Sequence, residues 1–280
     1  MTTPGPPKRV GLIAGQGELT AIAALHLRGE GTEVYAVGFD RETKETLSGA
    51  TDHFKMLRLG QLGKLIQYFK DHGITDLLMI GKIHKTRMYR NFRPDLRALR
   101  LWKSIPDRRD DTILRALVDE LETEGIIVGR IDRHLRHLMV PSGKISPRGP
   151  DRRERADAAF GWKIAKGIGR LDLGQTAVVK NRAPVAVEAI EGTDRTILRA
   201  GELSGPGMVV VKVAKPQQDF RFDVPVVGLE TVKSLVAAKA SALAVEAGKT
   251  IFVQRKESLA LLRKNKIAFW GCRQSDFKGL

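Results

Sequence analysis

Asp219, Arg221 and Asp223 alternate with Phe220, Phe222 and Val224 along the chain. In an extended segment, alternate side chains point to opposite sides. That places the two carboxylates and the guanidinium on one face and the apolar residues on the other. Carboxylate oxygens suit Mg2+, and a forked guanidinium suits anionic oxygens, so the face would serve a phosphate–metal group. A plain edge strand with a solvated Asp–Arg–Asp row fits the same pattern. The aromatics argue for a buried opposite face that fixes the register. Lys212 and Lys215 lie just upstream, beside the turn expected at Pro216.

Three glycine-marked turns are further candidates for anion binding. Val10 to Ala14 reads as a strand ending in Gly15-Gln16-Gly17, followed by a helix from near Leu19 and a second strand, Glu33 to Phe39. This resembles the opening of a nucleotide-binding βαβ unit, with amides at a helix N-terminus offered to phosphate. Thr20 stands where the third glycine of the dinucleotide fingerprint belongs, which weakens that match. Phe54 to Leu59 reads as a strand, and Gly60-Gln61-Leu62-Gly63 opens a helix with Leu62, Leu65, Ile66 and Phe69 on one face. A strand at Asp76 to Ile80 then ends in Gly81-Lys82. In the second half, Glu191-Gly192-Thr193-Asp194 opens a helix and offers another phosphate or hydroxyl site, beside ordinary capping. Asp110-Asp111 precedes a helix; capping accounts for one of the two, and an adjacent pair also suits Mg2+. His134 and His137 have no partner at ligand spacing and read as exposed.

These residues need a scaffold of about two domains. The chain has 280 residues, and 42% are hydrophobic. The alternating pattern predicts an α/β fold: β-α-β-α-β over the first 81 residues, a proline- and glycine-bearing linker over 139–152, and a second half of helices and strands from 153 on. In that second domain the pattern predicts a helix from Arg153 to Ile168 and strands at Pro184 to Ile190, Met208 to Val213 and Thr250 to Gln254. No apolar run reaches a membrane span, and the N-terminal apolar stretch is short for a signal peptide. One cysteine, Cys272, excludes an internal disulfide. A cytoplasmic location is expected.

Charge is the loudest global feature, at 48 Lys+Arg against 32 Asp+Glu, net +16. Such a surplus points to a polyanionic partner. Ten of the cations fall between Lys82 and Arg109, threaded with Met88, Tyr89, Phe92, Leu96, Leu99, Leu101 and Trp102. A segment of that kind can lie on an anionic membrane surface. An RNA-binding module rests on charge alone, without a recognisable motif, so no nucleic acid is expected. A dinucleotide-dependent oxidoreductase, resting on Gly15, Gly17 and Asp40, is the other alternative.

Several longer stretches together carry a resemblance. IAGQGEL (13–19), RLGQLG (58–63), DDTILRAL (110–117), ERADAAFG (154–161), LDLGQTAVV (171–179), AVEAIEGTD (186–194), VVVKVAKPQQDFRFDVPVVG (209–228) and LAVEAGKT (243–250) resemble the LpxI family of UDP-2,3-diacylglucosamine pyrophosphatases. Arg109 departs from the glycine often found before the aspartate pair. The resemblance implies Mg2+-dependent hydrolysis of UDP-2,3-diacylglucosamine to UMP and 2,3-diacylglucosamine 1-phosphate (lipid X). It also implies a Rossmann-like N-terminal domain, taken as 1–138, and a separate mixed α/β C-terminal domain, taken as 153–280. With the basic segment, a location peripheral to the inner membrane is expected, and a homodimer is a further expectation. The family's essential aspartate falls on Asp223, with Asp219 as its expected partner. Pyrophosphate oxygens would meet Lys212, Lys215 or Arg221. The remaining substrate-binding candidates are Gly15, Gln16, Gly17, Gln61, Gly81, Lys82, Gln175, Glu191, Gly192, Thr193 and Asp194. Asp110 and Asp111 join Asp223 as candidate ligands of the metal.

Overall fold

Runs of β-branched and aliphatic residues such as VGLIA and VYAVGF are apolar at consecutive positions, which suits strands buried on both faces of a parallel sheet. A computed structural model of the chain describes residues 8–83, 94–107 and 109–277 and bears this out. Strands β1 (Arg9–Ala14), β2 (Glu33–Phe39), β3 (His53–Leu57), β4 (Asp76–Ile80) and β5 (Ile127–Val128) form one sheet in the order β3-β2-β1-β4-β5, every pair parallel. The order reverses direction between β1 and β4, a topological switch point of the doubly wound kind. Helices α1 (Glu18–Gly29), α2 (Leu62–Asp71), α3 (Leu96–Ser104) and α4 (Asp110–Thr123) belong to this unit. Leu62, Leu65, Ile66 and Phe69 of α2 are buried, as the spacing predicts. Asp95 caps α3 by accepting from the Ala98 amide.

The capping expected of one member of the aspartate pair falls elsewhere. Arg109, not an aspartate, occupies the N-cap of α4, and Asp107 accepts from the Arg109 amide at 3.0 Å. Asp110 and Asp111 are therefore the first two helical residues, where negative charge complements the helix dipole.

The second sheet is mixed, in the order β6-β13-β11-β9-β7-β8. Its strands are β6 (Gly143–Lys144), β7 (Thr176–Lys180), β8 (Ala183–Val187), β9 (Val209–Lys212), β11 (Ala242–Glu246) and β13 (Ala268–Cys272); β10 (Val226–Val227) pairs separately with β12 (Ile251–Phe252). Strands β9, β11 and β13 run parallel, while β6, β7 and β8 pair antiparallel to their neighbours. Helices α5 (Arg152–Arg170), α6 (Thr193–Ser204), α7 (Leu229–Ala237) and α8 (Arg255–Lys264) complete the unit. A capping box between Asp151 and Glu154 starts α5. Gly161 lets α5 approach the sheet closely, since a Cβ there would meet Val211 at 2.7 Å. Pro184 is tolerated because β8 is an outer strand.

Two expectations need correction. The 139–151 stretch is an ordered part of the second unit: Val140 is fully buried, Ser146 is buried, and β6 pairs with β13. The compact units divide between His134 and Leu135. Prolines and glycines in this stretch accompany an irregular path across a sheet edge, where composition alone suggests a linker. Second, residues 219–224 form no strand. They follow a turn at 216–217 and pass through another at 220–222, and the first unit takes in Phe220–Asp223. Phe220 and Phe222 are nonetheless buried and Asp219, Arg221 and Asp223 half-buried, but Val224 is half-buried too, so the alternation holds only through Asp223 and without a ladder.

Candidate active site

The glycine turns of the first unit converge on the C-terminal rim of its sheet, but they are occupied with each other. The Gln16 amide donates to the Lys82 carbonyl at 2.8 Å, and the Lys82 amide donates to the Gln16 carbonyl at 2.9 Å. A Cβ on Gly15 would meet Lys82 O at 2.7 Å, and one on Gly81 would meet Gly15 C at 2.7 Å. The close approach of the segments after β1 and β4 at the switch point is enough to require glycine at 15 and 81. Gly17, at φ 122° and with no atom near its missing Cβ, remains open at the start of α1. Gln61 sits at the N-cap of α2, and its side chain accepts from the Arg58 amide at 3.0 Å.

On the same rim lies the segment that carries Asp223. Gly129 and Arg130 follow the end of β5, and the Ile131 amide donates to the Phe220 carbonyl at 2.9 Å. The Arg130 guanidinium stands 4.9 Å over the Phe220 ring and is gripped by both Asp132 carboxylate oxygens, at 3.0 and 2.9 Å. Arg221 pairs with Glu122 at 3.3 Å. Phe222 joins the hydrophobic core of the first unit. The strand face that was to align Asp219 with Asp223 does not exist, and the two aspartates fall in different units.

The second unit holds a buried polar cluster where β7 begins and β8 and β9 end. Lys212, the last residue of β9, donates to the Thr193 hydroxyl at 2.8 Å, and Thr193 donates to Glu188 at 2.9 Å. The second Glu188 oxygen accepts from the Gln175 amide at 3.2 Å. Lys212 is 6% exposed and Glu188 8%, so neither charge has bulk water to lean on. Burial by itself raises the Glu188 pKa. The Lys212 charge, the Thr176 and Thr193 hydroxyls and the Gln175 amide outweigh it and hold Glu188 below its ordinary 4.5. Gly174 is required here, since a Cβ would come within 2.2 Å of Glu188 O. Buried oxygens of Gln175 (Oε1) and Asp194 (Oδ1), and Nε2 of Gln218, have no hydrogen-bond partner among the described residues. These are the groups a polar ligand would satisfy.

Other candidates are engaged structurally. Glu191 pairs with Arg199 at 2.5 Å and accepts from the Ala189 amide. Gly192, at φ 81°, is the N-cap of α6. Lys215 is paired with Asp172 at 2.6 Å. Asp111 is half-buried, and the Asp110 side chain lies outside the described residues. The sequence reading passed over Glu188 and Thr176, although an acid inside the apolar run VAVEAI was a visible signal. It also passed over Glu122, Arg130 and Asp132, which are far from Asp223 in sequence and carry no motif.

Among the described residues, no three His, Cys, Asp or Glu side chains cluster at metal-holding distance. A preformed cage is therefore absent there. Mg2+ often takes only one or two carboxylates and completes its shell with water and substrate phosphate, and that donor set is one a single half-buried carboxylate such as Asp223 fits.

Comparison with known proteins bears on both units. Residues 9–138 match the LpxI N-terminal domain, and residues 141–270 match the LpxI C-terminal domain. A protein of Caulobacter vibrioides named UDP-2,3-diacylglucosamine pyrophosphatase LpxI is 29% identical over 268 residues, which is 90% of this chain and 93% of that protein.

Proposed function

The chain belongs to the LpxI family through both of its halves, and from that premise we propose that it is a hydrolase of the pyrophosphate of UDP-2,3-diacylglucosamine, acting in lipid A biosynthesis. Its products are UMP and 2,3-diacylglucosamine 1-phosphate (lipid X). The observation that carries this reading is the near full-length match to a relative bearing that activity in its name. Water attacks one phosphorus, its oxygen stays there, and the other phosphate leaves. Asp223 orients or deprotonates that water, or holds the metal; when bound, Mg2+ neutralises charge on the non-bridging oxygens. Lys212 supplies a buried positive charge, and Gln175 and Asp194 supply acceptors for sugar or amide donors. The test is direct. UDP-2,3-diacylglucosamine incubated with the full chain should yield UMP and lipid X by mass spectrometry, and excess EDTA should stop the reaction until Mg2+ is restored. Full turnover in EDTA would remove the metal from the proposal; absence of both products with Mg2+ present would remove the activity.

The reading extends to an anionic membrane surface. No described helix is long and apolar enough to cross a membrane, and the Lys82–Arg109 segment is strongly basic. Arg90 and Arg93 of that segment lie outside the described residues. Arg97 is committed elsewhere: it pairs with Glu120 and Glu124, each at 2.5 Å, joining α3 to α4. Arg100 and Lys103 of α3 are exposed. Replacing Arg100 and Lys103 with Ser should weaken partition onto anionic vesicles by roughly 1 kcal/mol per charge removed. Unchanged partition at moderate salt would argue against this surface.

A further inference from the structure

The family match assigns residue 223 to the C-terminal domain by sequence, whereas the fold places residues 220–223 in the first unit. The chain leaves the second unit after Asp219 and rejoins it at Val224. Across those four residues it is held by four separate contacts within the first unit. Phe222 is 8% exposed and sits in that unit's core. Phe220 is 7% exposed, under the Arg130 guanidinium. Its carbonyl receives the Ile131 amide, and Arg221 pairs with Glu122. We infer that residues 220–223 are a strap that sets the position of Asp223 from the first unit, with Phe220 and Arg130 acting as positioning residues for it. The inference rests on the assignment of Asp223 above and adds where its precision comes from.

The physical argument is one of tolerance. Residue 223 adjoins turn residues 220–222 and belongs to no ladder, so the anchors of residues 220–222 fix the path of the backbone from which its carboxylate projects. A misplacement near 1 Å from a catalytic geometry can cost about a hundredfold in rate. Asp132 matters in the same way, because its bidentate grip keeps the Arg130 plane over the ring.

The test is a double-mutant cycle on the full-length protein. Phe220→Ala and Arg130→Ala should each lower kcat about tenfold or more with KM little changed, and Phe222→Leu should retain more kcat than Phe222→Ala. In an Asp223→Ala background, Phe220→Ala and Arg130→Ala should cause no further fall in the residual rate, because there is no carboxylate left to place. A structural role alone would lower both backgrounds by the same factor, and that result overturns the positioning role. Unchanged kcat in Phe220→Ala and Arg130→Ala, with Asp223→Ala inactive, overturns it too. Near wild-type kcat in Asp223→Ala overturns the Asp223 assignment itself.

Discussion

Asp223→Ala should fold normally, retain bound lipid and turn over at least about a hundredfold more slowly than the parent chain. Asp223 is half-buried and belongs to neither hydrophobic core. Its neighbour Phe222, which does, is untouched by the change. Loss of a carboxylate that orients or deprotonates water costs about 10²–10⁴ in rate while binding is largely kept. Loss of a metal ligand instead shifts the Mg2+ requirement upward. A Mg2+ titration of the residual activity therefore separates the two roles. If Asp223→Ala turns over at close to the normal kcat, the segment is only a structural strap. The Asp110–Asp111 pair at the start of α4 then becomes the leading carboxylate candidate.

Lys212→Met should lower folding stability by about 1–3 kcal/mol, because it removes the buried donor to the Thr193 hydroxyl and the positive charge that favours ionised Glu188. The pH dependence gives the sharper signature. In the parent chain Glu188 titrates below its ordinary 4.5. Its charged form thus contributes stability at pH above 4.5, and that contribution disappears as pH falls through the lowered value. Without Lys212 only burial and the hydroxyl and amide donors act on the carboxylate, and burial is the largest of these influences. The Glu188 pKa then moves up from its value in the parent, and the stability that ionised Glu188 contributes above pH 4.5 shrinks accordingly. Urea unfolding of both proteins between pH 4 and 7 should show a shallower loss of stability at the acid end in the variant. Parallel curves would show that Lys212 is not what keeps Glu188 ionised. Lys212→Met/Glu188→Gln should recover part of the loss, since a neutral amide tolerates the same site.

Much of the architecture is legible without coordinates. Consecutive apolar residues in β1, β2 and β4, the 3.6-residue spacing of α2 and the capping box of α5 are local signals, each fixed by residues within one or two turns. Both halves were recognisable as α/β, and the alternation correctly marked Phe220 and Phe222 as buried, though not Val224. Tertiary structure decided the rest, because it depends on groups far apart in the chain. Backbone alternation cannot distinguish a strand from a strap; that needed Ile131, Arg130 and Glu122, about 90 to 100 residues away. Gly15 reads as a phosphate turn until Gly81 is seen packed so closely against it that a Cβ on Gly81 would meet Gly15 C at 2.7 Å. Glu188 stands out as an acid in an apolar run, but its partners Thr193 and Lys212 are set only by the fold. The segment 139–151 looks like a linker until β13 pairs with it. Local free energies are written in adjacent residues, whereas close approach, charge pairing and burial arise only when distant segments meet.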